Sequence, residues 1–260
     1  MQNLTSRDNT NIKNTVKLKN SSKFRRKTGL FIAEGVRVCY DALLSGAQID
    51  TVFVTEDALA KYPEKTAQLC GKSKKSFIVT DEIFSHISDT QSPQGVLCVI
   101  KTLDKVTEFD TIKNGGKFLA LENIQDPNNL GTVLRSAEAF GVSGVIMSAD
   151  CCDIYNPKVV RGSMGAVFRL PFIIAESIPG FLSDNSQLTS YAAVVDSDAE
   201  KITEISFDEN SVTVIGNEGS GLKMETVSAC DHKITIPMRG KAESLNASTA
   251  ASIIIWEMIK

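Results

Sequence analysis

Short apolar runs alternate with segments of helical spacing along this chain, and the alternation predicts its elements. Gly29-Leu30-Phe31-Ile32-Ala33-Glu34-Gly35 reads as a strand, and Val36–Leu44 has the apolar spacing of a helix ending near Gly46. Residues 51–54 and 76–79 are strand-like with a helical segment between them, and residues 94–100 form another strand. Residues 1–100 thus make a small α/β domain, long enough to fold separately. The polar stretch 101–116, ending in a Gly-Gly pair, is the expected linker. In residues 117–260 the alternation is more regular. Strands are expected at 117–122, 142–148, 166–172, 191–195, 212–215 and 234–236. A helix at 130–140 carries Leu130, Val133, Leu134, Ala137 and Phe140 on one face. Strands alternating with helices argue for a mostly parallel sheet covered on both faces, whose ligands bind beyond the carboxyl ends of the strands. Residues 250–258 are apolar around most of their circumference, consistent with burial within the subunit or against a second one.

Composition narrows the class. With 260 residues and 42% hydrophobic content, the chain has ample material for a core, and no run is long enough to span a bilayer. The polar start, without a signal-peptide core, leads us to expect a cytoplasmic protein. Six cysteines, Cys39, Cys70, Cys98, Cys151, Cys152 and Cys230, show no metal-ligand spacing or disulfide framework and are expected to be reduced fillers. The net charge of −3 excludes a uniformly basic nucleic-acid binder. One basic patch stands out: Lys13, Lys17, Lys19, Lys23, Arg25, Arg26 and Lys27 lie between Asn9 and Ala33 with no acidic residue among them. By itself this is a solvated helix face or a tail.

Candidate chemistry concentrates in the second part. The run ending at Gly216 enters the turn Asn217-Glu218-Gly219-Ser220-Gly221, where glycines let a ligand approach the main chain. Two nucleotide fingerprints fail: Met224 occupies the sixth position where a dinucleotide motif needs glycine, and Thr66 occupies the upstream glycine position of a P-loop. Upstream lie Asp126-Pro127-Asn128-Asn129-Leu130-Gly131 with Arg135, at a helix start where Asn129 or a neighbour can cap. Arg135 is off the apolar face and can reach the mouth of the sheet. Arg161-Gly162-Ser163-Met164-Gly165-Ala166 follows, and after the glycine turn come Ile236-Pro237-Met238 and Ser244-Leu245-Asn246-Ala247-Ser248.

In order and spacing these four motifs resemble those of the SpoU/TrmH-type RNA ribose 2′-O-methyltransferases of the SPOUT superfamily, over nearly all of residues 117–260. The resemblance implies a C-terminal segment threaded into a deep trefoil knot, an exception to the usual avoidance of knots. It implies S-adenosylmethionine held by main-chain groups around Gly216, Ile236 and Leu245, with Asn217, Glu218, Gly219, Met238 and Asn246 in the cofactor site. It also implies a homodimer with the active site completed across the interface, and no metal. Arg135 would activate the ribose hydroxyl, Asn129 would hold Arg135 or the RNA backbone, and Glu218 would orient Arg135 from the partner subunit or fix the cofactor loop. Ser244 and Asn246 would hydrogen-bond the cofactor and ribose. His86 and His232 lie outside the motifs, which disfavours a histidine base. A weaker similarity, carried by Phe31-Ile32-Ala33-Glu34-Gly35 and Arg37, relates the first domain to the α/β substrate-binding domains that precede many SpoU catalytic domains. In its light Lys23, Arg25, Arg26 and Arg37 become expected RNA contacts, with ribosomal RNA the first substrate and transfer RNA its rival. A non-catalytic RNA-binding assembly protein is the reading from another class.

Overall fold

The computed structural model describes residues 1–103 and 115–260, so most of the expected linker lies outside the described residues. The chain divides into two compact units: Met1–Leu103 with Asp153–Phe168, and Asp104–Cys152 with Arg169–Lys260.

The first unit is built on one mixed sheet. Its strands β1 (Gln2–Leu4), β2 (Leu30–Glu34), β3 (Ile49–Val54), β4 (Lys75–Val79) and β5 (Val96–Lys101) stand in the order β1-β4-β3-β5-β2. Strand β5 is antiparallel to β3 and β2, and the other pairs are parallel. Helices α1 (Thr10–Asn20), α2 (Ser22–Thr28), α3 (Val36–Leu44), α4 (Glu56–Lys61), α5 (Pro63–Lys72) and α6 (Asp81–Ile87) complete it. Helix α1 starts at Asn9, whose side chain accepts from the Asn11 N–H, and it buries Ile12, Thr15 and Leu18 on one face. That spacing leaves Lys13 and Lys17 exposed.

Arg25 departs from the expected basic patch. It is 4% exposed; its Nε donates to Asp153 Oδ2 at 2.7 Å and its Nη1 to the Leu18 carbonyl at 2.6 Å. Helical periodicity turns it inward while Lys23, Arg26 and Lys27 stay exposed, so it is a structural cation closed to phosphate. The segment Asp153–Phe168 is further fixed to this unit by Tyr155, whose ring centroid lies 4.5 Å from that of Phe31.

The second unit carries seven strands, β6 (Lys117–Leu121), β7 (Gly144–Ser148), β8 (Phe172–Ala175), β9 (Thr189–Ala193), β10 (Glu200–Lys201), β11 (Ser211–Ile215) and β12 (His232–Thr235). Their order is β10-β12-β9-β11-β6-β7-β8, and every pair is parallel. The interior strand β11 is buried at every residue, as expected where helices cover both faces. The helices in chain order are α7 (Pro127–Phe140), α8 (Pro157–Gly162), α9 (Ala166–Arg169), α10 (Ile178–Asp184), α11 (Met224–Ala229) and α12 (Ala247–Ile259), of which α8 and all of α9 but Arg169 belong to the first unit.

The strand expected at 166–172 is instead helix α9 followed by β8. Met164 and Gly165 both have positive φ, 49° and 89°, and this turn launches a single buried helical turn. A short apolar run cannot by itself separate helix from strand, and here Pro171 delays the strand to Phe172.

Helix α7 begins at Asp126, which caps the Asn128 N–H, and ends at Gly141 with φ 82°. Leu130, Val133, Leu134 and Ala137 on it are fully buried, each large side chain stabilising by roughly 1.5–3 kcal/mol. Helix α12 lies against α7: the Ser136 and Ser252 hydroxyls are 2.8 Å apart, and the Phe140 and Trp256 rings meet edge-on at 5.5 Å. It buries Ala251, Ile254, Ile255 and Met258 yet leaves Ile253 and Trp256 outside, Trp256 being 53% exposed. No described helix is long and apolar enough to cross a membrane.

Candidate active site

Chain direction reverses across the sheet at β6. From β6 the strands step outward to β7 and β8, then the chain returns to the far side of β11. Such a switch opens a crevice at the carboxyl ends of the strands. The loops after β9, β10, β11 and β12 meet there and enclose a cleft of about 810 Å³.

The loop after β11 is a tight, self-bonded hairpin. Asn217 and Gly221 exchange both main-chain hydrogen bonds at 3.0 Å, and the Asn217 Oδ1 accepts from the Gly219 and Ser220 N–H groups at 2.9 and 3.0 Å. Gly216 is demanded by this closure, because a Cβ there would lie 2.3 Å from the Gly221 carbonyl carbon.

Glu218 ties the hairpin to the loop after β6 and to the start of α7. Its Oε1 accepts from the Asp126 N–H at 3.0 Å and from the Asn129 amide at 3.1 Å, and its Oε2 from the Gln125 N–H at 3.2 Å. Asn129 in turn accepts at 3.0 Å from Asn246, whose own Oδ1 caps α12 through the Ser248 N–H at 2.9 Å. The network thus runs from the hairpin through the start of α7 to the start of α12. Partial burial pushes the Glu218 pKa up, but the hydrogen bonds from Asn129 and from main-chain N–H groups outweigh it, holding the carboxyl below its usual range.

Expected site residues divide accordingly. Gly216, Asn217, Glu218, Gly219, Ile236, Met238, Ser244 and Leu245 all line the cleft. Asn246 is not among its lining residues; its amide serves Asn129 and the helix cap instead. Asn129, expected beside Arg135 or RNA, is buried between Glu218 and Asn246. Arg135 is exposed on α7 and has no hydrogen bond or ion pair among the described residues. His232 begins β12 and pairs with Glu200 at 2.9 Å.

Two groups escaped the sequence reading. Glu122, 2% exposed at the end of β6, accepts from the Lys223 N–H at 2.8 Å and the Thr226 hydroxyl at 2.5 Å, anchoring the far end of the hairpin. An acidic residue closing an apolar strand beside Asn123 was the available signal. Asp196, Lys201 and Glu204, from the connection around β10, form another wall of the cleft. Cys151 lies under the same loops, and burial raises its pKa, which makes it a poor nucleophile.

The cleft has a further property that bears on ligands. Among the described residues, segment 237–245 makes no hydrogen bond, so its main-chain donors and acceptors face the cleft or solvent unspent. Ile215, Ile236, Leu245 and Ile254 add apolar wall. This donor set suits a ligand with an apolar ring and a polar rim.

Fold and cleft define a class: an α/β domain with a small-ligand-sized cleft at the carboxyl ends of a parallel sheet. The model of the SpoU rRNA Methylase family matches residues 116–256, and that of the MRM3-like substrate binding domain matches residues 9–98. The chain belongs to the SpoU rRNA methylase family. It is 26% identical over 260 residues to the 23S rRNA (guanosine(2553)-2′-O)-methyltransferase RlmP of Bacillus subtilis, covering 99% of each chain. An uncharacterized tRNA/rRNA methyltransferase of Synechocystis is 31% identical over 237 residues, 91% of this chain and 86% of that one. The AdoMet-bound rRNA methyltransferase of Sinorhizobium meliloti superposes with a TM-score of 0.84 at 26% identity, covering 98% and 96% of the two chains. AviRb of Streptomyces viridochromogenes in complex with AdoMet gives 0.84 at 25% identity, with 96% of each covered.

Proposed function

We propose that the protein transfers a methyl group from S-adenosylmethionine to a ribose 2′-hydroxyl of large-subunit ribosomal RNA. The observation that carries this reading is the main chain of segment 237–245, unspent among the described residues and facing the cleft; Arg135, exposed on α7 and unpaired among the described residues, is not one of the cleft's lining residues. Family membership and the ribosomal RNA substrates named for the relatives support it. Gly216, Ile236 and Leu245 would hold the cofactor, which supplies an electrophilic methyl on a sulfonium.

The protein's own task is then alignment and charge. Holding reacting atoms roughly 3 Å apart removes much of the entropic barrier of a two-body displacement. Arg135 keeps its proton, since a guanidinium scarcely deprotonates in proteins, and it stabilises the negative charge growing on the 2′-oxygen. Glu218 is a positioning residue, because both its oxygens are occupied and its lowered pKa makes it a weak base. Ser244, whose hydroxyl has no partner among the described residues, is available to the ribose or cofactor.

The same reading includes a homodimer built on the exposed Ile253 and Trp256 face of α12, a threaded C-terminal knot, and a cytoplasmic location. It assigns Lys23, Arg26 and Arg37, all exposed, to RNA phosphates. Mapping ribose methylations in ribosomal RNA from cells with and without the protein tests it: one site lost with the gene supports the reading, and identical maps end it.

A further inference from the structure

The second unit pairs most of its cations. Among its described residues Lys117, Arg169, Lys201, Lys223 and Lys260 each have a partner, whereas Arg135, Lys233, Arg239 and Lys241 have none. Arg239 and Lys241 are exposed, two residues apart, on segment 237–245, of which every residue but Lys241 lines the cleft, Arg239 included. That segment is anchored at both ends, by the pairing of β12 with β9 and by the Asn246 cap, and makes no hydrogen bond between them among the described residues. Carboxylates outnumber cations in the cleft lining: Asp196, Glu204, Glu218 and Glu243 stand against Lys201, which is paired with Glu204, and Arg239.

Carboxylates at this cleft repel a polyanion, and two cations unpaired among the described residues offset that repulsion. We propose that Arg239 and Lys241 grip RNA backbone phosphates, and that this grip forms when the inner side of segment 237–245 closes on the cofactor. One loop would thus read both ligands: its main chain satisfied by the methyl donor, its side chains by the acceptor strand. Cofactor and RNA would each bind more tightly in the presence of the other, because the ordering of the loop is needed only once. This inference rests on the RNA methyl-transfer reading above.

The test measures binding of a short labelled RNA of arbitrary sequence across a potassium chloride series, with and without S-adenosylhomocysteine, for the wild type and for Arg239→Ala/Lys241→Ala. Phosphate contacts carry no sequence information, so an arbitrary strand suffices. We expect the double variant to bind several-fold more weakly, and its salt slope to fall by about 1.4, two contacts at roughly 0.7 each. Tightening by S-adenosylhomocysteine should appear in the wild type and vanish in the variant, while the charge-conserving Arg239→Lys/Lys241→Arg restores the slope. Unchanged slope and affinity in the Ala variant, with wild type still methylating ribosomal RNA, overturns the loop assignment alone. Lost S-adenosylhomocysteine affinity with unchanged salt slope assigns the cations to the cofactor and also overturns it. A wild type that neither binds RNA nor transfers a methyl removes the underlying reading as well.

Discussion

At Arg25, residue type misled and geometry decided, whereas Glu218 holds its own loop to the start of α7, one of the two roles expected of it. Arg25 counted as one more positive charge in a basic run, but what matters is its phase on α2, which aims it at Asp153 and the Leu18 carbonyl. Arg25→Ala should cost about 3–5 kcal/mol in urea unfolding, because Asp153 is left without its counter-charge. The same experiment on Lys23→Ala/Arg26→Ala should leave stability nearly unchanged and weaken RNA binding; a reversed outcome would restore Arg25 to the surface patch. Glu218 yields a pH signature. Its folded pKa is depressed, so its contribution is complete above the unfolded value of about 4.5 and is lost as pH falls through the folded one. The stability gap between wild type and Glu218→Gln should therefore be flat from neutral pH to roughly 5 and close in stronger acid. A gap widening with acid would show that the carboxylate is not the favoured form.

Among the elements, those with long one-sided patterns were legible. Val36–Leu44 emerges with the bounds its apolar spacing indicated, and the 130–140 helix gains only the first turn that Asp126 and Pro127 start. Strand β10, two residues long and exposed, has no apolar pattern to betray it, and α9 is too short to have a period. The pairing of α7 with α12 was equally hidden, since contact across more than one hundred positions leaves no local trace. This pair makes two predictions. Leu134→Ala should destabilise the second unit by roughly 2–5 kcal/mol through lost burial and a cavity. Ile253→Glu/Trp256→Glu should leave thermal unfolding of the subunit nearly unchanged yet convert a dimer to monomers in sedimentation; a dimer surviving both charges would place the interface elsewhere.

For the whole molecule, motif order conveyed the chemistry before any geometry did, since the Asn217 and Ser244 motifs line one cleft and Glu218 ties the Asp126 motif to them. The sequence could not reveal how they are wired. Asn129 and Asn246 read as ligand contacts because both are amides within motifs, yet each spends its amide on holding the frame. Nor could it show that Asp153–Phe168, with the Ser163 motif inside it, folds with the first unit rather than the second. The most direct test of the account is single-turnover transfer of a labelled methyl group from S-adenosylmethionine to ribosomal RNA, with wild type and Arg135→Ala compared at saturating cofactor. The account predicts 2′-O-methylated nucleosides from the wild type, and from the variant an unchanged cofactor affinity with transfer slower by a factor on the order of a hundred to a thousand. Equal rates, or label recovered on a base instead of a ribose, would contradict it.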